Sequence, residues 1–398
     1  MGVAEICADL VRIRSENPPG GTAGVIDYIE DFLDRIGIRG LVTRNRDGRC
    51  NLVVNSPDNR LLLCGHVDVV PALDDGWARD PFSGDIDAGY VWGRGSTDMK
   101  GGCASLLHAL RHCADEGVDP RVNLAFVCDE ETGGEFGVRH LLSRNLLSPC
   151  DCVIAEPTPQ HCPSIGQKGL CRLRFDFSGE PGHGSLYPHI GVSAVMEAFD
   201  LLEYMKLLNT RIFSGDEEML GIIEDSAAVL EEIFGLSGIG DALRRITFNP
   251  GRIEGGEKAN IIAQECLLEL DIRIPWGCDV EHLLANIAAQ AARAAITPLN
   301  MAAPSYTSID TEIVGVTCRE IERVTGCTAR PIVQWAASDA RYLRKAGFDV
   351  LEYGPGDLHS LHAIDERVPI SLLESAADVY RGIIRHYSLP DAHRRIVY

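Results

Sequence analysis

The 14 cysteines of this 398-residue chain include no Cys-x-x-Cys pair, so the usual zinc ribbon and dithiol redox motifs are absent. No apolar run approaches the roughly 18 residues that a membrane-spanning helix needs. The N-terminal Met1-Gly2-Val3-Ala4-Glu5-Ile6 is acidic and interrupted, unlike a signal peptide. Ile6 also stands where myristoylation prefers Ser or Thr. Basic charge is in deficit, with 37 Lys and Arg against 58 Asp and Glu for a net −21. That balance argues against nucleic acid or an anionic membrane as partner, since both demand a basic footprint. Repeats and low-complexity segments are lacking. Abundant thiols without an export signal lead us to expect a reducing cytoplasm, with most cysteines serving as small core residues.

What remains is a soluble globular composition, 45% hydrophobic and 24% charged, in a chain long enough for two domains. Helical periodicity covers Val3 to Ile13 and Val25 to Ile36, separated by the breaker Ser15-Glu16-Asn17-Pro18-Pro19-Gly20-Gly21. Strands are expected at Leu41–Thr43, Asn51–Val54, Leu61–Cys64, Arg121–Cys128 and Asp151–Ala155, with a helix over Cys103–Cys113. This alternation implies a parallel α/β sheet with its chemistry outside the carboxyl ends of the strands. From about Gly166 the texture changes to β-α-β-β-α-β, the order of a ferredoxin-like domain. Its strands are expected at Leu170–Phe177, Arg245–Arg252, Leu267–Ile274 and Thr297–Met301, and its helices at Val192–Leu208 and Val280–Ala295. Gly215 to Gly240 interrupts it, and the acidic helical piece Glu217–Phe234 reads as a surface insertion. The first texture returns near Ile309, with helices over Glu312–Val324 and from Asp339 and strands near Ala329–Val333 and Asp349–Tyr353. The expected organisation is a first catalytic part over 1–164, a lid and dimerisation domain over 165–304, and a second catalytic part over 305–398.

Three buried strands end in chemistry-bearing residues: His66 and Asp68, Glu130 and Glu131, and Glu156. His66 and Asp68 lie two apart and project to one side. Alone, the pair reads either as a core imidazole satisfied by an aspartate or as a metal-ligating imidazole oriented by one. With Asp98 and His362 the candidate ligands become His66, Asp98, Glu131, Glu156 and His362. Imidazole and carboxylate without thiolate suit zinc, with cobalt or manganese as alternatives. Five ligands are too many for one catalytic zinc that keeps a position open. Two ions about 3.5–4 Å apart, bridged by one carboxylate and a water, use them sensibly. Asp98 is a suitable bridge, and the remaining Glu130 is placed as a general base.

These residues sit in Gly65-His66-Val67-Asp68-Val69-Val70-Pro71, Gly93-Arg94-Gly95-Ser96-Thr97-Asp98-Met99-Lys100-Gly101-Gly102, Asp129-Glu130-Glu131-Thr132-Gly133-Gly134 and Glu156-Pro157-Thr158. Further on come Gly182-His183-Gly184-Ser185 and Tyr353-Gly354-Pro355-Gly356 leading to His362-Ala363-Ile364-Asp365-Glu366. Taken in order over nearly the whole chain, they resemble the M20 metallohydrolases. That family includes acetylornithine deacetylases, succinyl-diaminopimelate desuccinylases, aminoacylase-1 and glutamate carboxypeptidases.

The resemblance implies a zinc-aminopeptidase-like mixed sheet flanked by helices, with an inserted ferredoxin-like α+β lid and dimerisation domain. It implies two zinc ions per subunit, His66 and Glu156 on one, Glu131 and His362 on the other, and Asp98 bridging. Asp68 would orient His66. Glu130 would activate the bridging water and then protonate the leaving amine, and the Asp98–Met99 peptide would be cis. His183, rather than His189, resembles the lid-domain histidine that polarises the scissile carbonyl in a neighbouring subunit's site, which also implies a homodimer. Likewise His362, rather than His359, has the family's spacing to Asp365-Glu366.

Candidate substrate-binding residues are Asn260, Arg273, Ser338 and Gly354, with a structural salt bridge as the competing reading of Arg273. Ser338-Asp339-Ala340-Arg341 resembles the desuccinylase branch, although Ala337 stands where that branch usually has Thr, and Ala263 where many members have Pro. The implied activity is removal of an acyl group from an N-acylated amino acid, of the succinyl-diaminopimelate or acetylornithine type. The alternatives are a dipeptidase or carboxypeptidase and, more remotely, a non-catalytic metal-binding protein on the same scaffold. Loss of Glu130 would signal the last, and Glu130 is present.

Overall fold

A computed structural model describes residues 1–45, 47–72 and 75–389. The chain forms two compact units, Met1–Ile165 with Tyr306–Pro331 and Ser338–Tyr398, and Gly166–Ser305 with Ile332–Ala337. Each is described in turn.

In the first unit the apolar run Leu61–His66 is the central strand, buried at every position. It lies parallel between Asn123–Val127 and Asp151–Ile154, and Asp349–Glu352 continues the sheet in parallel. The sheet as a whole is mixed, because the hairpin Leu41–Arg44 and Cys50–Val54 joins Asn123–Val127 antiparallel. The mixed sheet implied by the family resemblance is thus found, with the parallel α/β pattern at its centre and the short-looped hairpin Leu41–Arg44 to Cys50–Val54 antiparallel at its edge. Helices Val3–Arg12, Lys100–Asp115 and Ile370–Ser388 pack on one another. The last, 19 residues long, is a helix beyond those expected from sequence. Its buried Leu373, Ala376, Tyr380, Ile383, Ile384 and Tyr387 recur at helical spacing and were the available signal. A small antiparallel sheet of Ile86–Asp87, Tyr90–Trp92 and Arg367–Pro369 completes the unit.

The second unit is built on four antiparallel strands in the order Thr247–Gly255, Glu265–Ile274, Gly169–Ser178, Ala294–Ala302. With helices Ala194–Asn209 and Val280–Gln290 this is the ferredoxin-like arrangement. Alternate residues such as Phe175, Phe177, Leu268 and Ile272 meet Leu201, Met205, Leu283 and Ile287 in its core. The second helix stops at Gln290, short of the expected Ala295, because Ala294 and Ala295 pair with Phe177 and Asp176. Pairing with a central strand outweighs the helix propensity of an alanine-rich run.

Helix Glu217–Phe234 is not the surface appendage expected of it. It buries Met219, Ile222, Ile223, Val229 and Leu230, and it packs on strand Ile332–Gln334 and helix Ile239–Arg244. The buried Ser226 hydroxyl accepts a hydrogen bond from Val333 N at 2.9 Å. The acidic residues that suggested a solvated insertion occupy only its outer face. Strand Ile332–Gln334 accordingly groups with the second unit, not with the second catalytic part.

Candidate metal centre

The sheet of the first unit delivers the candidate ligands from separate strand ends. His66 closes the central strand, and Glu156 follows Asp151–Ile154, held in register where Ala155 N donates to Cys64 O at 2.9 Å. Glu130 and Glu131 form a single 3₁₀ turn after Asn123–Val127. Asp98 ends the loop before helix Lys100–Asp115, and its peptide to Met99 is cis. His362 lies on the loop after Asp349–Glu352 with a left-handed φ of 57°.

Two triads result, His66, Asp98 and Glu156, and Asp98, Glu131 and His362, each with ligand atoms within 4.8 Å of one another. They share Asp98 by its two oxygens. His66 Nε2 lies 3.0 Å from Asp98 Oδ1 and 3.7 Å from Glu156 Oε1. His362 Nε2 lies 3.2 Å from Asp98 Oδ2 and 3.4 Å from Glu131 Oε2. Glu131 Oε1 is buried with no hydrogen-bond partner, a costly condition for an acceptor unless a cation or donor faces it. The donor chemistry, the shared carboxylate and this orphaned oxygen fit a pair of divalent cations. His359 belongs to neither triad.

The orientation of His66 differs in detail from the expectation. Its Nδ1 lies 2.9 Å from the Asp68 backbone oxygen and 3.6 Å from the Asp68 carboxylate. The fully buried carboxylate instead accepts from Glu130 N at 3.1 Å, Glu131 N at 3.3 Å and Asn17 Nδ2 at 2.9 Å. Asp68 thus aims the imidazole with its carbonyl and fixes the Glu130–Glu131 turn with its side chain. Asn17 also donates to Asp129 Oδ1 at 3.1 Å and Thr132 Oγ1 at 3.0 Å. Asp129 itself, left-handed at φ 74°, accepts from Phe136 N. In the sequence Asn17 stands out only as part of a helix breaker. A polar residue in a Pro-Pro turn was the faint signal.

The charges set up a strong local field. Burial alone would lower the His66 pKa, but Glu156, Asp98 and Asp68 raise it well above the ordinary histidine value. Hydrogen bonds donated to the Asp98 and Glu131 carboxylates hold His362 up at about 10. Although burial opposes it, the two histidines keep Asp98 below the usual carboxylate range. Glu130 is raised well above its ordinary value by burial, then by Asp339 and Glu131. An excess of carboxylates over imidazoles in one place favours divalent cations.

The remaining candidates are distributed over both units. In the first, Gly354 packs so closely on the Glu156 segment that a Cβ there would stand 2.3 Å from Ala155 O. The buried Ser338 hydroxyl donates to Glu352 Oε1. In the second, His183 is exposed, with Nδ1 2.8 Å from Ser185 Oγ. Asn260 is exposed, and its carbonyl accepts from Gly184 N at 3.0 Å. Arg273 grips Asp271 through Nε at 2.7 Å and Nη2 at 3.2 Å, the salt bridge weighed against a substrate role.

A mixed α/β sheet presenting two imidazole–carboxylate triads around one shared aspartate defines a metal-dependent hydrolase architecture. The chain belongs to peptidase family M20/M25/M40, whose model matches residues 62–386, and it is a metal-dependent amidohydrolase. It is 30% identical over 406 residues to a succinyl-diaminopimelate desuccinylase of Cereibacter sphaeroides, covering 96% of this chain and 98% of that one. An acetylornithine deacetylase of Aliivibrio salmonicida is 28% identical over 375 residues, 90% of each chain. The fold is similar to that of an M20 family metallo-carboxypeptidase from Sulfolobus solfataricus, with a TM-score of 0.79 at 20% identity over 97% of this chain and 99% of that one.

Proposed function

We propose that this protein hydrolyses the amide of an N-acylated amino acid, with succinyl-diaminopimelate or acetylornithine as the leading substrate types. The observation that carries the reading is the pair of triads joined through Asp98, with Glu130 beside them. The names of the full-length relatives support the substrate class. His66, Glu156 and Asp98 would hold one divalent cation, and Asp98, Glu131 and His362 the other, zinc first, with cobalt or manganese as alternatives. Cations held there supply Lewis acidity and lower the pKa of water.

The chain's own groups do the rest. Glu130 accepts a proton from the attacking water and returns it to the amine nitrogen as the C–N bond breaks, giving a carboxylic acid and a free amine. Asp68 keeps the Glu130 amide in place at 3.1 Å, so the base has a defined origin. His183 of one subunit serves the neighbour's centre by hydrogen bonding to the scissile carbonyl. Ser338 and Gly354 of the first unit and Asn260 of the second are the remaining substrate-side candidates, whereas Arg273 is already paired with Asp271.

The homodimer is proposed to join through the second unit. Helix Ala194–Asn209 exposes Met196, Phe199 and Leu207 along one side, at 37%, 47% and 57% exposure, which is a natural surface to cover. The thiol-rich composition supports a cytoplasmic location. Among the described residues no helix is long and apolar enough to cross a membrane.

The test is a panel of acetyl- and succinyl-amino acids and dipeptides, assayed on protein reconstituted with zinc, then cobalt or manganese. Preference for acyl-amino acids is expected, and a clear preference for dipeptides would replace the deacylase reading with a dipeptidase. Glu130→Gln should keep both metals yet lower turnover by about 10²-fold or more. Unchanged turnover would remove Glu130 as the base.

A further inference from the structure

We infer that Glu366 is a positioning residue of the metal centre, fixing the backbone of the shared ligand Asp98 and tying it to the loop that carries His362. The inference rests on the two-cation reading above and extends it to a residue outside both triads.

Glu366 is fully buried. Its Oε1 accepts from three backbone amides of one loop, Gly95 N at 3.0 Å, Thr97 N at 3.0 Å and Asp98 N at 3.1 Å. Its Oε2 pairs with Arg94 Nη1 at 2.5 Å, and Arg94 is 4% exposed. The opposite end of the same guanidinium, Nη2, donates to His362 O at 3.5 Å. One carboxylate therefore meets the amide of Asp98 directly and the backbone of His362 through a single intervening side chain.

The local fold explains how the residue comes to be there. Arg367–Pro369 pairs antiparallel with Tyr90–Trp92, placing Arg367 opposite Trp92. Gly93 N then donates to Glu366 O at 2.8 Å, and Thr97 Oγ1 donates to Arg367 O at 2.7 Å. The turn from Gly93 to Asp98 has few ladder partners of its own, and buried amides without acceptors are costly. A charged acceptor takes three of them at once, and charge-assisted bonds are the stronger kind. Satisfying those amides also settles where Asp98 begins, because its own N–H is one of the three.

A bland alternative is that Glu366 and Arg94 are only a buried ion pair supporting the fold. The two accounts differ in what happens to metal binding in variants that remain folded. Glu366→Gln keeps an oxygen for the three amides but turns an NH₂ group toward Arg94, whereas Glu366→Ala removes both partners. Cobalt titration followed by visible absorption, with zinc calorimetry alongside, reads the number of ions and the affinity of each. Circular dichroism reads the fold.

Loss of a group that orients a metal ligand weakens binding by about 10–100-fold. The weaker ion should lose about 10-fold in Glu366→Gln and about 100-fold in Glu366→Ala. If Glu366→Ala does not fold, Glu366→Gln decides alone. Folded variants that bind two ions with wild-type affinity would overturn the inference while leaving the two-cation reading intact. A wild-type protein that binds fewer than two ions would instead overturn that reading, and this inference with it.

Discussion

The two units bury polarity in opposite ways. In the first, Asn17, His66, Asp68, Asp129, Asp339, Glu352 and Glu366 are almost wholly buried, most of them at or near strand ends. In the second, the buried polar side chains among the described residues are Gln167, Lys168 and Ser226, and the core is aliphatic and aromatic. Its charges pair instead on outward-facing positions, as Arg172 with Asp271 and Arg252 with Glu254. Burying linked ionisable groups lowers stability unless every one finds a partner. The first unit maintains such a network, and the second is an ordinary sandwich of helices on a sheet. The difference separates the unit that carries the candidate metal ligands from the unit whose interior is built by apolar packing.

Substitutions in the second unit should accordingly change stability without changing metal binding. The largest effect is expected at Phe175, fully buried and 6.0 Å from the Phe177 ring centroid. Phe175→Ala should cost about 3–5 kcal/mol in denaturant unfolding while the folded protein still binds its full metal complement. A lost metal would break the comparison. Asn17→Ala in the first unit should do the reverse. The two hydrogens of its side-chain NH₂, shared among Asp68, Asp129 and Thr132, hold the turn carrying Glu130 and Glu131, so metal affinity should fall by about 10-fold or more. Calorimetric titration checks it, and wild-type affinity would show that the turn holds itself.

Ser226→Ala leaves Val333 N without its acceptor inside the second unit, with an expected cost of about 1–3 kcal/mol and unchanged turnover. The last comparison concerns pH. Lys168 is 1% exposed and donates to Ala242 O and Arg245 O at 2.7 Å each. Burial, then Arg273, lowers its ammonium from 10.5 to about 7. Between those values the unfolded chain binds the proton more readily than the folded one. Stability is therefore lost as pH falls from 10.5 toward about 7, by up to about 1.4 kcal/mol per unit. Lys168→Met should flatten this part of the wild-type stability–pH profile, and an identical slope in both proteins would remove Lys168 as its source.

The same contrast governs how much could be read from sequence. His66, Glu131 and Glu156 were legible because each follows a buried strand, where an idle polar residue needs a reason. Asp98 and His362 came with motif spacing. The ferredoxin-like order was legible from alternating strands, and the pairing Thr247–Gly255 to Glu265–Ile274 follows it. Asn17 and Glu366 were not legible as positioning groups, because their partners lie 112 and 268 residues away in Asp129 and Asp98. Local pattern carries no information about such contacts. Helix Glu217–Phe234 was misplaced for the same reason, since the strand it covers, Ile332–Gln334, follows about a hundred residues later. Arg273 shows the limit in the other direction: its chemistry suits a substrate carboxylate, yet its guanidinium is already engaged by Asp271.

The central claim, that Asp98 joins two cation sites, is tested most directly by counting divalent ions per chain in wild-type protein and in His362→Ala. Mass spectrometry of metal-reconstituted, gel-filtered protein gives that count. Two ions in the wild type and one in His362→Ala are the expected results. A single ion in the wild type, or two retained in His362→Ala at wild-type affinity, would contradict the claim.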